Sequence, residues 1–193
     1  MAYMAMRIIS GTLKGKSLYA PQSKTTRPTS DRARQGVFNI LEHAAWANGI
    51  IDAKVLDVFA GTGAMALEAL SRGAQDAVLI ENDKAAISNI KENIFACGYD
   101  NVTKLISADA TKLGIPPHNM TKRDLVFIDP PYKDELMEKA LEGLIKNHWL
   151  APNAILVLEQ HKSAKAPATT DFEIMKTVNY GLNGFWFLKK ITP

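Results

Sequence analysis

A chain of 193 residues, 47% of them hydrophobic, can bury a substantial core and is most simply one domain with a small appendage. No apolar run approaches the roughly 20 residues that span a bilayer, and the opening MAYMAM is too short and uncharged for a targeting signal, so a cytoplasmic protein is expected. The net charge of +3 is mild but one-sided: Arg7, Lys14, Lys16, Lys24, Arg27, Arg32 and Arg34 face a single acid, Asp31, in the first 35 residues. Such a segment suits a polyanionic partner, or is simply a solvated N-terminus. The lone cysteine, Cys97, excludes an internal disulfide and any multi-cysteine metal site. Its helical spacing from Ile87, Ile90 and Ile94 marks it as a small buried hydrophobe. The histidines His43, His118, His148 and His161 lack zinc spacing, and no metal is expected.

In chain order, MRIISGTLKGKSLYAP reads as a β-hairpin, roughly 6–10 and 16–20, turning through Gly11 and Gly15. A polar loop from Pro21 to Pro28 follows. Ser30 or Thr29 then caps a helix expected to run to about Trp46, with Val37, Phe38, Ile40, Leu41 and Ala44 on one face. These features divide the chain into an extension, 1–29, and a main domain, 30–193. From Ala53 the rhythm becomes strand, turn, helix, repeated. KVLDVF, AVLIE, VTKLIS, DLVFID and AILVLE read as buried strands, with helices at AMALEALSRG, Lys84–Ala96 and Glu135–Lys146 between them. This alternation implies an α/β fold with a doubly wound, mostly parallel sheet. FEIMKTVNY and GFWFLKK, separated only by a short turn, should pair antiparallel at its end. Trp149, Phe185 and Trp186 sit in or beside apolar strands and are expected in the core.

In open α/β sheets ligands bind at the carboxyl ends of the strands, near the reversal of strand order. The first such turn here is VLDVFAGTGAMALEAL, where Gly61 and Gly63 let the backbone turn sharply and approach a ligand. Glu81 ends the next strand, where an acid grips ribose hydroxyls, and Asp109 follows the third, where a carboxylate can accept from an adenine amine. Gly61 to Ala66 alone is a weak signal, compatible with NAD binding or a structural turn. Asp57, an acid ahead of the glycines, suits an amine-bearing ligand better than a pyrophosphate, and so points to S-adenosylmethionine. Phe59, Thr62 and Ala110 flank these positions and complete the expected cofactor surface.

The second motif is FIDPPYK, Phe127–Lys133. An exocyclic amine on a nucleobase is a poor nucleophile because its lone pair is delocalised into the ring. Two acceptors for its hydrogens, the Asp129 carboxylate and the Pro130 carbonyl, favour localisation of that pair. Proline fixes φ near −65°, and Pro131 holds Pro130 extended, so the carbonyl is preset. Tyr132 can stack on a flipped-out base. The stiffness serves orientation.

DPPY after a VLDVFAGTGAMALEALSRGA turn resembles the Rossmann-like class I S-adenosylmethionine-dependent methyltransferases that act on exocyclic or amide nitrogens. RIISGTLKGKSLYAP followed by RPTSDRARQGVFNIL resembles RsmD-type enzymes, the bacterial 16S ribosomal RNA guanine-N2 methyltransferases, and the likeness covers nearly the whole chain. Gln35 and Gly36 depart from the pattern, where an acid and then a larger residue are expected. The resemblance implies a seven-stranded sheet with a terminal antiparallel strand and a basic N-terminal hairpin. It places Asp57, Gly61 and Gly63 beside the methionine part of the cofactor, Glu81 on the ribose, Asp109 on the adenine, and Asp129 to Tyr132 on the guanine. Arg7, Arg27, Arg32 and Arg34 would hold phosphates of 16S RNA or of the small ribosomal subunit, with Thr29 and Asp31 ordering the loop; a monomer is expected. The shared DPPY chemistry leaves adenine N6 of DNA or a protein glutamine amide as the alternative target. A dinucleotide-dependent oxidoreductase and a catalytically silent RNA-binding module are further readings.

Overall fold

The computed structural model describes residues 6–20, 30–131, 135–165, 167 and 170–191. In chain order the elements are α1 (Asp31–His43), β1 (Lys54–Val58), α2 (Ala64–Ser71), β2 (Asp76–Glu81), α3 (Lys84–Cys97), β3 (Thr103–Ser107), β4 (Arg123–Ile128), α4 (Leu136–Lys146), β5 (Leu150–His161), β6 (Phe172–Tyr180) and β7 (Asn183–Lys190). A 3₁₀ turn at Ala110–Lys112, not foreseen from sequence, lies between β3 and β4. The strands form one sheet in the order β3-β2-β1-β4-β5-β7-β6. β1 to β5 pair parallel, and β7 runs antiparallel to both β5 and β6. Among the described residues no helix is long and apolar enough to cross a membrane.

Alternation along the strands feeds two cores. Val55, Leu79, Leu125, Phe127 and Val157 face α1, α2, α3 and the N-terminal hairpin. Leu56, Val58, Ile128, Leu156 and Leu158 face α4, with Trp149 and Trp186. Cys97 and Phe185 are buried as expected. α1 starts where Ser30 Oγ accepts the Ala33 amide at 3.2 Å and ends three residues short of the expected Trp46, its C-cap Ala44 turning extended. β5 is longer than the expected six residues because it pairs at both edges, with β4 and β7.

The hairpin is reduced to one bridge, Arg7 with Ser17, flanked by Ile8 N–H to Lys16 O (2.9 Å) and Leu18 N–H to Met6 O (2.8 Å). Met6, Ile8 and Leu18 belong to the same core as α1, α2 and α3. What fixes the hairpin is a set of buried polar side chains on the helices beneath it. Glu68, fully buried on α2, accepts the Ile9 and Ser10 amides at 2.7 and 3.0 Å and the Arg72 Nε–H at 2.8 Å. Ser71 donates to Ser10 O at 2.6 Å and accepts the Leu13 amide at 2.9 Å. Gly11 passes so close that a Cβ there would lie 1.8 Å from Ser71 O, and its φ of +81° is itself one that side chains disfavour. Asn93, fully buried on α3, accepts the Tyr19 amide at 2.7 Å and donates to Tyr19 O at 2.9 Å and Thr62 O at 3.0 Å.

The departure at Gly36 has a packing reason. A Cβ on Gly36 would lie 2.1 Å from the Tyr180 hydroxyl oxygen, so the bare backbone of α1 admits the β6 ring. Gln35 donates to Asn39 at 2.6 Å and accepts from Arg72 at 3.4 Å.

Replacing Asn93 by leucine keeps the branched shape but strands the Tyr19 amide and carbonyl and the Thr62 carbonyl. Unpaired buried groups cost roughly 1–3 kcal/mol each, some of it recovered as the hairpin loosens. Asn93→Leu is therefore expected to lower the unfolding free energy by about 3 kcal/mol in urea titration and to expose residues 6–20 to protease. Unchanged stability would show that the hairpin is held by its apolar contacts alone.

Candidate active site

The sheet reverses its order at β1, which pairs with β2 on one side and β4 on the other; Val58 stands beside both Ile80 and Ile128. The turn after β1 and the turn after β4 therefore leave the sheet side by side, and the Asp129 amide donates to Val58 O at 3.4 Å. Two recesses at the amino ends of the strands, around Asn48, Asp52 and Asp124 and around Asp76, Thr103 and Arg123, lie away from both motifs.

The glycine turn has three successive alternate residues with positive φ: Phe59 at +63°, Gly61 at +56° and Gly63 at +75°. Phe59 is the strained one, a bulky residue in the left-handed region, with its ring packed toward the α4 side of the sheet. Gly63 is required twice over, since a Cβ would also sit 2.9 Å from Leu79 Cδ2. Gly61 differs, because a Cβ there would meet nothing closer than Phe59 O at 3.9 Å, leaving its face open. Thr62 is turned to the hairpin, donating to Met6 Sδ at 3.3 Å, so the turn and the N-terminal extension touch directly.

Glu81 ends β2 and organises this turn. Oε2 accepts the Gly61 amide at 2.8 Å, and Oε1 accepts the Asn82 and Asp83 amides at 2.8 and 2.9 Å. Asp57, 4% exposed in β1, accepts the Ala66 amide at 3.1 Å. Burial raises its pKa from 3.8 to about 7, the Ala66 hydrogen bond opposing this and the Glu81 charge adding to it. Asp109 caps the 3₁₀ turn, accepting the Thr111 amide at 2.9 Å and hydroxyl at 2.7 Å, and these bonds lower its pKa. Ala110 is buried in that turn.

Asp129 stands at the carboxyl end of β4 on the same face as Phe127 and Asp57. Surrounding protein raises its pKa well above the usual carboxylate range, and the Glu159 and Asp57 carboxylates raise it further. Its side chain still reaches solvent, so water in the crevice tempers the first of these effects. Pro130 is buried and Pro131 exposed, with trans peptides throughout the described residues. Tyr132 lies outside the described residues, as do Arg27 and Thr29.

The expected phosphate contacts separate. Arg32 is exposed on α1, and Arg7 is exposed but paired with Asp31 at 3.2 Å. Arg34 is a correction: it is 1% exposed, donating to Arg7 O at 2.6 Å and Asp31 at 3.0 Å, and lying 4.0 Å from Glu68. Its guanidinium ties α1 to the hairpin from inside and cannot reach a phosphate. Glu68, Ser71 and Asn93, which fasten that hairpin, were not singled out from sequence, although a Glu and an Asn on the apolar faces of helices were visible there. Glu159, two residues before the end of β5 and beside Asp129, was also passed over.

The family described as Conserved hypothetical protein 95 matches residues 6–189. The chain belongs to this family. Among relatives, Ribosomal RNA small subunit methyltransferase D of Escherichia coli strain K12 is 38% identical over 154 residues, covering 80% of this chain and 74% of that protein. The Haemophilus influenzae protein of the same name is 32% identical over 180 residues, covering 92% and 90%. The solved structure of yhhF from Escherichia coli superposes with a TM-score of 0.81 at 30% identity, over 96% of this chain and 97% of that one. A conserved hypothetical protein of Streptococcus pyogenes gives 0.68 at 29%, over 82% and 95%. The fold is that of the Rossmann-like class I methyltransferases, and this family member is a methyltransferase.

A methyl donor of the S-adenosylmethionine kind suits this rim in its chemistry. Gly61 leaves its face open, and Asp57 is an unusually basic acid that an ammonium group would restore to its charged form.

Because the native state keeps the Asp57 proton between about pH 4 and 7, where the unfolded chain has lost it, this residue lowers stability as pH rises through that window. Asp57→Asn keeps an acceptor for Ala66 and abolishes the titration. The variant is expected to gain unfolding free energy over the parent at pH 8, the gain shrinking toward pH 4, in paired urea titrations. An equal effect at both pH values would mean that Asp57 does not titrate in this range.

Proposed function

We propose that this methyltransferase takes the methyl group of S-adenosylmethionine and places it on the exocyclic N2 of a guanine in 16S ribosomal RNA, working as a cytoplasmic monomer on free RNA or the small subunit. The observation that carries the reading is the adjacency of the glycine turn and the Asp-Pro-Pro turn at the strand-order reversal, fastened by the Asp129 amide to Val58 O at 3.4 Å. The names of the Escherichia coli and Haemophilus influenzae relatives support ribosomal RNA of the small subunit as the substrate.

In this reading the backbone from Phe59 to Gly63 cradles the cofactor, Asp57 faces its amino acid part, Glu81 its ribose, and Asp109 with Ala110 its adenine. Glu81 has already given three acceptor positions to backbone amides, so a ribose hydroxyl takes the remaining one on Oε2. When bound, S-adenosylmethionine supplies an electrophilic methyl carbon on a sulfonium. Asp129 and the Pro130 carbonyl receive the amine hydrogens and hold the nitrogen lone pair toward the donor, while Tyr132 stacks on the base. The Asp129 carboxylate sits where positive charge develops on nitrogen. The alkylated amino group is acidic and loses its proton without a strong base. Arg7 and Arg32, with Lys14 and Lys16 exposed on the hairpin, and Arg27, bind phosphates, so affinity falls as salt rises.

Asp129→Ala is expected to lower kcat by roughly 10²-fold or more while S-adenosylhomocysteine binds within about twofold of the parent by calorimetry. Since the ionised form of Asp129 is the working one and its pKa is raised, the parent's rate should rise with pH from the acid side and then level off. The substrate is checked by offering labelled cofactor with small ribosomal subunits, duplex DNA or protein. Label confined to N2-methylguanine in RNA is the expected outcome; label only in DNA or protein would defeat the assignment.

A further inference from the structure

Glu159 is a third acid at the rim, and the reading above gives it no task. Its place is fixed by register. Ile128 of β4 pairs with Leu158 of β5 in parallel, so Asp129 and Glu159 are the next residues on neighbouring strands and share one face of the sheet. Strands in a sheet lie about 4.8 Å apart. Glu159 is only 6% exposed, and Asn183, from the start of β7, donates to its Oε1 and orients it. The electrostatics agree with the geometry, since the Glu159 charge raises the Asp129 pKa more than the Asp57 charge does.

Two carboxylates side by side are a poor arrangement unless donors come between them. The Watson–Crick edge of guanine supplies donors in a row, N1–H and the N2 amine. Adenine offers an amine beside N1, a bare acceptor, which a second carboxylate repels. Enzymes that take a base out of its stack read that edge by hydrogen bonds. We propose that Glu159 is the specificity-determining residue of the base clamp, accepting the guanine N1–H while Asp129 and the Pro130 carbonyl hold the N2 amine. The inference deepens the proposed reaction and rests on it. It assigns the preference for guanine N2 over adenine N6 to a pair of acids on adjacent strands, whereas Asp129 and the prolines alone serve either amine.

The test uses an RNA fragment carrying the methylated position, made with guanine or with 2-aminopurine there. 2-Aminopurine keeps the N2 amine and lacks the N1–H and the O6 carbonyl. Sites that hydrogen-bond a substrate group discriminate strongly against analogues without it, so the intact enzyme is expected to favour guanine by roughly 10²-fold in kcat/KM or more. Glu159→Gln retains an acceptor for Asn183 but loses the charge. Its guanine rate is expected to fall about tenfold, since charge-assisted hydrogen bonds are about twice as strong as neutral ones, while the 2-aminopurine rate rises because its bare N1 no longer faces a carboxylate. Equal rates on the two bases with the intact enzyme would overturn the proposal. So would a Glu159→Gln variant that binds S-adenosylhomocysteine normally and keeps the full preference. If the intact enzyme does not methylate guanine N2 in RNA at all, the proposed reaction fails first and this assignment falls with it.

Discussion

The reversal of strand order at β1 is the constraint on which the rest of the molecule depends. A parallel strand can be followed only by a crossover, and crossovers are right-handed. Growth from β1 through β2 to β3 places α2 and α3 on one face; growth from β4 through α4 to β5 places its helix on the other. The loops leaving β1 and β4 therefore diverge above the sheet, and the cleft between them is present before any side chain is chosen. The sequence then needs only to put a turn that tolerates positive φ at one lip and a stiff acceptor at the other. Phe59, Gly61 and Gly63 do the first, and Asp129 with two prolines the second.

The hairpin solves a different problem. A basic arm that contacts a large polyanion is useful only if its position relative to the cleft is fixed, and a two-stranded ribbon alone is marginal in water. Here the arm contributes one bridge pair and borrows its stability from helices that belong to the sheet. Glu68, Ser71 and Asn93 hydrogen-bond its backbone rather than its side chains. The exposed side chains of the arm are thereby left for a partner while its path is held. Asn93 also holds Thr62 O, so the same amide that fixes the arm fixes the glycine turn after β1. The arm and the turn cannot shift independently without stranding a buried polar group.

This division also explains which parts were legible in the sequence. Strands of the sheet were, because burial on both faces leaves short, continuous apolar runs such as VLDVF and LVFI, and β6 and β7 because only a short turn separates them. The turn after β1 was legible too, since Gly61 and Gly63 adopt the positive φ that few other residues tolerate. Arg34 was misread because charge pattern reports composition and not direction. It lies three residues from Asp31 on α1, but the helix turns it inward, over Glu68. Glu68 and Asn93 were illegible for the complementary reason: a single polar residue on an apolar helix face does not reveal which distant backbone it will satisfy. Glu159 closes the apolar run AILVLE as Glu81 closes AVLIE, and only the pairing of β4 with β5 shows that it stands beside Asp129.

Asp57, Asp129 and Glu159 together give the empty cleft an electrostatic character that its partners would relieve. Two of the three have proton affinities raised first by burial and then by neighbouring carboxylates, Glu81 for Asp57, and Glu159 and Asp57 for Asp129. Each raised pKa is free energy withheld from the folded protein at neutral pH. An ammonium beside Asp57, or a row of N–H donors between Asp129 and Glu159, converts that repulsion into attraction. Ligands of this chemical kind thus gain from contacts and also from the relief of a strained charge arrangement, and ligands presenting lone pairs gain neither. Selectivity of this sort needs no tight cavity. In the proposed reaction it would let an open cleft, with Asp129 in contact with solvent, tell a base that presents a donor at N1 from one that presents an acceptor.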